Sequence, residues 1–293
     1  MKCAQGILRI CEVRELIHIR VMTEADIPLG MRLKEENGWN QTEADWHRYL
    51  DLQPDGCFVA MLDDEPVGTT TTCVFGAVAW VAMVLVDANC RRRGVGRELM
   101  CHALEFLDRQ GVACVRLQAT LLGQPLYEKL GFVPDYLLHR YEGVLPSAEE
   151  QAEVVPLREE DTEGVLLLDR EVTCSDRRKL LLRLLNEFPD SVRVARGVAN
   201  VNGFIATRPG ARALQIGPCL ATTAAGHRLL QHVQHQHGGT HAFIDIPEAN
   251  EPAIDWAEDI GFIPQRPLLR MRRGPAVGER ISALWASSGP EMG

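Results

Sequence analysis

The apolar positions of this chain change period as they are followed along it. Alternation and short continuous runs, the mark of strands, give way to spacings of three and four, the mark of helices. Read this way, Ile17 to Met22 is a strand and Glu24 to Glu36 a helix with Thr23 as its N-cap, followed by a second short helix from Glu43 to Leu50. Three strands follow, Cys57 to Leu62, Pro66 to Phe75 and Ala79 to Val86, the first two joined by the turn Asp63-Asp64-Glu65. A helix from Val95 to Gln110 carries Leu99, Ala103, Leu104 and Leu107 at helical spacing. Strand Val112 to Gln118, a short helix around Pro125 to Leu130 and a strand from Phe132 to Tyr141 complete an α/β unit with a mixed sheet.

The pattern then repeats. Leu130-Gly131-Phe132-Val133-Pro134 returns as Ile260-Gly261-Phe262-Ile263-Pro264, an offset of 130 residues that also carries Leu138 to Leu268, Arg140 to Arg270, Gly96 to Gly226 and Leu99 to Leu229. Near the start of each half the offset differs slightly: Ile19 to Asp26 resembles Val154 to Asp161, and Pro66-Val67-Gly68 resembles Val201-Asn202-Gly203. Two copies of one fold are expected, the first over residues 12–143 and the second over 153–273, with Gly143 to Ala152 as a linker rich in Gly, Pro, Ser and acidic residues. Residues 274–293 are expected to form a C-terminal tail in which Glu279 to Trp285 makes a short amphipathic docking helix.

Length and composition agree with two globular units: 293 residues, 46% hydrophobic and 24% charged, with no long polar tract. The 31 basic and 40 acidic residues leave a net charge of −9, which argues against nucleic acid and anionic membrane as partners and favours a cationic or amine-bearing one. Nine cysteines, at 3, 11, 57, 73, 90, 101, 114, 174 and 219, are an odd number without paired spacing and read as reduced, mostly buried thiols. The longest apolar stretch, Cys73 to Val86, is too short to span a bilayer, and the first residues lack a secretory signal, so the expected location is the cytoplasm. The expected assembly is a monomer or a homodimer.

The candidate chemistry begins where the buried run Val84-Leu85-Val86 ends. After the polar turn Asp87-Ala88-Asn89-Cys90 comes Arg91-Arg92-Arg93-Gly94-Val95-Gly96-Arg97, opening the long helix. A helix N-terminus presents unpaired N–H groups and the positive end of the helix dipole, both suited to phosphate oxygens. Gly94 and Gly96 allow a diphosphate to approach the backbone, and Arg91, Arg92, Arg93 and Arg97 add charge. The segment reads either as a diphosphate cradle or as a solvated basic turn. Nucleotide hydrolysis loses support because there is no Gly-x-x-x-x-Gly-Lys-Ser/Thr, and NAD binding because Leu99 stands where a third glycine is needed.

Downstream, Leu126-Tyr127-Glu128-Lys129-Leu130-Gly131-Phe132 supplies a second motif about thirty residues after the first. Together, Arg91-x-x-Gly94-x-Gly96 and this heptapeptide resemble the GNAT superfamily of acyl-CoA-dependent N-acyltransferases. The resemblance is strong over residues 17–142 and degenerate over 153–273. It implies an α/β fold of two tandem GNAT-like domains, each a mixed, mostly antiparallel central sheet flanked by helices, with the first domain catalytic. It also implies acetyl-CoA as co-substrate, held by Val84, Leu85, Val86, Arg91, Arg92, Arg93, Gly94, Val95, Gly96, Arg97, Thr120 and Tyr127. The pantetheine arm is expected along Leu85 and Val86, where a splayed strand supplies an N–H to the oxyanion. Thr120 stands where the family often has asparagine. Tyr127 matches a tyrosine that often protonates the departing thiolate, or else packs its ring against the cofactor.

The implied reaction is transfer of acetyl to a primary amine, carried by a small molecule or by a protein or peptide, through direct attack. A non-catalytic CoA-binding sensor on the same scaffold is the alternative. No general base is readable: Asp87 suits the orientation of the turn equally well, and Glu24, Asp26, Glu35 and Glu36 suit a solvated helix face. Trp39, Asn40 and Trp46 either line an amine pocket or pack beneath the loop that follows the first helix. In the second half Ala221 to Gly226 lacks arginine and has one glycine, and Ala257 stands opposite Tyr127, although Asn250 restores the asparagine. That half is expected to be a non-catalytic body that walls the acceptor cleft. Histidines 227, 232, 235, 237 and 241 suit a solvated face better than a metal site, having no acidic or cysteine ligand at metal spacing. Cys73 and Cys90 have no local histidine to activate them as nucleophiles.

Overall fold

The computed structural model describes residues 17–151, 153–197 and 200–293. Cys3, Cys11 and the expected start of the first unit at residue 12 lie outside the described residues. The first half contains β1 (Ile17–Val21), α1 (Ile27–Glu36), α2 (Glu43–Leu52), β2 (Cys57–Leu62), β3 (Glu65–Phe75) and β4 (Val78–Val86). It continues through α3 (Val95–Arg109), β5 (Cys114–Ala119), α4 (Gln124–Lys129) and β6 (Val133–Val144). The second half repeats the order with β7 (Val154–Pro156), α5 (Thr162–Thr173), α6 (Arg178–Glu187), β8 (Val192–Arg196), β9 (Val201–Arg208) and β10 (Leu214–Ala221). It ends with α7 (Thr223–His237), β11 (His241–Pro247), α8 (Glu251–Asp259), β12 (Ile263–Arg273) and β13 (Leu284–Ala286).

The single helix expected from Glu24 begins instead as a 3-10 turn, Glu24–Asp26, because Asp26 is drawn into a capping box in which its carboxylate accepts from the Thr23 backbone N–H at 2.9 Å. Proline near the start of α1 then suits the first turn, where no intrahelical donor is needed. β6 runs on to Val144, so the linker starts with the fully buried Leu145 rather than at Gly143. The expected docking helix at Glu279 to Trp285 is a 3-10 turn, Ile281–Ala283, followed by β13. Trp285 and Ala286 are fully buried, so residues 284–286 belong to the core. No helix among the described residues is long and apolar enough to cross a membrane.

The thirteen strands among the described residues form one sheet in the order β1-β2-β3-β4-β5-β12-β6-β11-β10-β9-β8-β7, with β13 on β10. The last long strand of each repeat has changed places. β12 lies against β5 of the first half, and β6 lies against β11 of the second. Between them β6 and β12 pair antiparallel, with Leu138 opposite Leu268, Tyr136 opposite Arg270 and Arg140 opposite Arg266. Each of these pairs either joins repeat-equivalent positions or is the image of another, so the 130-residue repeat becomes a pseudo-twofold axis through Leu138 and Leu268. The segments 12–143 and 153–273 are thus contiguous in sequence but share their central strands.

α3 packs on one face of the sheet with Leu99, Ala103 and Leu107, and α7 covers the same face of the other half with Ala225, Leu229 and Val233. Helices α1, α2, α5 and α6 cover the opposite face. Alternation along β12 sends Leu269 and Met271 into the α3 core and Arg266, Leu268 and Arg270 to the other side. On that face Arg140 and Arg116 are paired. Arg140 forks onto Asp245 at 2.7 and 2.8 Å, and Arg116 meets Glu279 at 2.7 Å. The Arg270 guanidinium stacks on Trp80 at 4.6 Å and on Tyr136 at 5.0 Å.

Exchange of central strands couples the halves, so Leu268→Ala at the axis should cost about 2–5 kcal/mol and lower a single calorimetric transition for the whole chain. Two separate transitions, one of them unmoved, would contradict the shared sheet.

Candidate functional site

β4 and β5 run parallel only from Val78–Trp80, opposite Cys114–Arg116, and then part. Beyond that point β4 is bulged against β3, its register shifting between Thr69 and Thr71. Met83 sits at the bulge with φ +49°, a left-handed backbone that costs a non-glycine residue on the order of 1 kcal/mol. Its carbonyl is held by the Thr69 hydroxyl at 2.9 Å. The strands part four residues before the expected pantetheine position, and a cavity of about 1070 Å³ opens between Val81–Val86 on one side and Leu117, Gln118 and Thr120 on the other.

At the end of β4 the Asp87 carboxylate accepts from Asn89 N–H at 2.9 Å and from Arg32 at 2.7 Å. The Arg32 hydrogen bond holds the Asp87 carboxyl below the usual carboxylate range. Asp87 thus fixes the turn and does not line the cavity, and neither do Glu24, Asp26, Glu35 or Glu36. Arg91 donates to the Val86 carbonyl at 3.2 Å, Arg92 adopts φ +62° and Gly94 φ +93°, and α3 begins at Val95. Arg91, Arg92, Gly94, Val95, Gly96 and Arg97 line the cavity together with Val84, Leu85 and Val86. Arg93 is not in that lining; its guanidinium lies 3.9 Å from Cys90 Sγ.

Gly96 is informative because nothing in the chain requires it. A Cβ there would meet Val86 at 3.6 Å and Leu126 at 3.7 Å, ordinary contacts, so the smallness of position 96 serves the open side of the turn. On the far wall Thr120 caps the next turn by accepting from Gly123 N–H at 3.3 Å, and Tyr127 lies 8% exposed with its ring edge-on to Phe132. Burial pushes the Tyr127 phenol up to about 12, so it stays protonated throughout the physiological range. Gly123 makes room for that ring, since a Cβ at 123 would lie 2.8 Å from it.

The other end of the cavity mixes residues from both halves: Trp39 and Gln41 from the loop after α1, Arg266 and Leu268 from β12, and Pro290 and Glu291 from the C-terminal segment. Of the three acceptor candidates only Trp39 lines it. Asn40 is buried with its side chain spent on the second half, donating to Ala213 O at 3.0 Å and accepting from Arg212 N–H at 2.9 Å. Trp46 is fully buried, its ring against Gly30 in the core beneath α1 and α2. Gln41, Met83, Gln118, Arg266, Leu268, Pro290 and Glu291 were not legible as site residues. Only the repeat itself carried a signal, by pairing the neighbourhood of Leu268 with that of Leu138.

The equivalent groove of the second half is filled by the chain itself. β10 pairs parallel with β11 only over Leu214–Ile216, and β13 pairs with β10 where the gap would open, at Cys219 and Leu220. Asn250 holds this strand by donating to the Leu284 carbonyl at 2.9 Å. Trp285 lies over Gly226, where a Cβ would come within 2.0 Å of the indole. His227 packs edge-on to the same ring at 4.9 Å, and His232 is buried beside Arg193.

Residues 28–132 match the model of the acetyltransferase (GNAT) family, and residues 165–286 match a second model, described as an acetyltransferase (GNAT) domain. Among curated proteins the chain is similar to the uncharacterized N-acetyltransferase YitH of Bacillus subtilis, 25% identical over 206 residues that span 67% of this chain and 71% of that protein. Among solved structures it is similar to a putative acetyltransferase from Pyrococcus horikoshii, with TM-score 0.82 and 26% identity over 94% of this chain and 96% of that one. It shares the fold of a tandem GNAT protein from the clavulanic acid biosynthesis pathway, with TM-score 0.64 and 16% identity over 89% and 100% of the two chains.

The repeat-equivalent glycines give a matched test. Without ligand, Gly96→Ala should leave the melting temperature unchanged or raise it slightly, because alanine relieves a glycine in a helical turn. Gly226→Ala should cost about 1–3 kcal/mol by driving into Trp285. Equal effects in thermal unfolding would contradict the filled groove.

Proposed function

The chain belongs to the GNAT acetyltransferase family, with one such domain in each half, and from that premise we propose that it moves an acetyl group from acetyl-CoA to a primary amine at the cavity of the first half. The observation that carries this reading is the juxtaposition, in one cavity, of the Gly94–Gly96 helix start, the bulged end of β4 and the Tyr127 phenol. The first-turn amides of α3, with Arg91, Arg92 and Arg97 around them, suit the diphosphate. Arg93 stands outside that lining and contributes charge only at longer range. Val84, Leu85 and Val86 offer backbone to the pantetheine amides, and Thr120 offers a hydroxyl on the opposite wall.

The chemistry asks little more of the protein than position and charge control. An ammonium acceptor first sheds a proton, its nitrogen then attacks the thioester carbonyl carbon, and the carbon–sulfur bond breaks as a second proton leaves the nitrogen. One proton ends on sulfur and one in solvent. An N–H of the bulged strand near Met83 to Leu85 takes the oxyanion, in a site where no reorganisation is needed at the moment of reaction. Tyr127, protonated because it is buried, donates to the departing sulfur. A phenol near 12 is a weaker acid than an ordinary thiol, so its contribution is a strong hydrogen bond that becomes transfer as the thiolate is desolvated in the same pocket. The second half, its groove filled by β13, holds no acetyl-CoA and supplies walls to the acceptor end. The acceptor's amine and the chain's net charge of −9 suit each other.

Acetyl-CoA should raise the melting temperature of the chain by mass action, and Gly96→Val should abolish that rise while folding normally. An undiminished shift would place the diphosphate elsewhere.

Tyr127→Phe should lower kcat by about 10² or more with little change in acetyl-CoA affinity. Because the phenol titrates near 12, the wild-type rate should show no alkaline limb from Tyr127 below about pH 10. Equal turnover in the Phe variant would leave Tyr127 a packing residue, and with it favour a cofactor-binding role without this acid.

A further inference from the structure

The acceptor end of the cavity contains a guanidinium that the protein leaves uncompensated. Other buried arginines are matched: Arg140, its cross-strand neighbour, with Asp245 at 2.7 Å, Arg208 with Glu291 at 2.6 Å, and Arg48 with Asp45 at 2.5 Å. Arg266 has no carboxylate within ion-pair distance among the described residues, and its buried Nε has no hydrogen-bond partner in the chain. Burial first, and the nearby Arg140 guanidinium second, disfavour its charge, and the Asp245 carboxylate that Arg140 holds offsets this only in part. A half-buried cation in that position costs stability unless a ligand repays it.

Arg266 also points the right way. Alternation along β12 puts it with Leu268 on the face carrying α1 and α2, the same face as Gln118 of β5, away from Tyr127 and the α3 turn. Around it, Gln118 has both side-chain polar atoms buried without partners, and Gln41 has its carbonyl oxygen so placed. Across the same cavity lies a carboxylate, Glu291, held by Arg208 and by Gln41 Nε2 at 2.9 Å. Desolvation raises the pKa of Glu291 against the pull of Arg208, and Asp45 raises it further, so an approaching cation is welcome there.

Resting on the acetyltransferase reading above, we propose that the acceptor is a small amine carrying its own carboxylate, of the amino-acid class, with its carboxylate clamped by Arg266 and its ammonium directed toward Glu291. The two poles fix orientation as well as affinity: a planar guanidinium engages a carboxylate in a bidentate fork and leaves the amine on the side from which the thioester is reached. Trp39 and Leu268 then face the rest of the acceptor. A neutral amine of the same size leaves the guanidinium desolvated and unpaired, which is how a polar site rejects an analogue lacking the matching group.

The test compares α-amino acids with their carboxamides and with the amines that lack the carboxylate, using the full chain and acetyl-CoA. The wild-type protein should favour the acids by about tenfold or more in kcat/KM. Arg266→Gln should bring that ratio near one, chiefly through KM, with the acetyl-CoA thermal shift intact, and Arg266→Lys should keep part of it. Because the substitution removes an unpaired charge, the variant should melt no lower than wild type. Where turnover is too slow to measure, calorimetric titration of the same pairs into the CoA-loaded protein should show the same preference and the same loss. Equal use or binding of neutral and acidic members, including none bound at all, overturns the Arg266 assignment alone. A wild-type chain that neither binds nor consumes acetyl-CoA overturns both readings.

Discussion

The antiparallel pairing of β6 with β12, centred on Leu138 and Leu268, is the contact on which the rest of this structure depends. Each strand completes the sheet of the opposite repeat, so neither half closes its core alone: Met271 of β12 sits in the α3 core, and Tyr141 of β6 sits in the α7 core. Both leucines at the axis are buried, and beside them Arg140 is paired with Asp245 and Arg270 stacks on Tyr136, while Arg266 has no carboxylate partner among the described residues. Burying a guanidinium is costly unless it is paired, so the Arg140–Asp245 fork and the stacking of Arg270 on Tyr136 favour this register of the two strands. The same pairing brings Arg266 and Leu268, residues of the second repeat, to the cavity of the first.

In the second repeat the groove is filled by the chain itself. Where β4 parts from β5 a cavity remains, and where β10 would part from β11 the chain inserts β13. Asn250 hydrogen-bonds that strand, and Trp285 occupies the space over the α7 start that Gly96 leaves open over α3. Residues beyond 286 then fold back to the face carrying α1 and α2, where Gln41 and Arg208 hold Glu291. The half whose Ala221 to Gly226 has no arginine and one glycine is thus also the half in which a strand makes the groove part of the core.

Much of this was legible in the sequence, for physical reasons that also explain what was not. Periodicity placed most strands and helices of the first half within a residue or two, because each has one apolar face, and Arg91-x-x-Gly94-x-Gly96 marked a strand-to-helix turn, where Gly94 takes a left-handed backbone. The 130-residue offset revealed two copies but not their exchange of strands: β6 has the same pattern whether it pairs with β5 or with β11. Leu284 and Trp285 read as the end of a helix from Glu279 because they follow Ile281 at helical spacing, yet a three-residue strand pairing across a gap carries no period of its own. Asn40 follows the first helix and Trp46 lies in the short helix after it, positions that do not distinguish a side chain facing a cavity from one facing another element. Met83 gave no signal, since methionine is not a residue expected in a left-handed bulge. Arg266 and Glu291 could not be assigned because their meaning lies in the partners they have or lack.

One open groove and one filled groove share a single sheet. Isothermal titration of the full chain with acetyl-CoA is the most direct measurement of it. A stoichiometry near one, lost in Gly96→Val and kept in Gly226→Ala, is the predicted result. A stoichiometry near two, or binding that survives Gly96→Val and fails in Gly226→Ala, would contradict it.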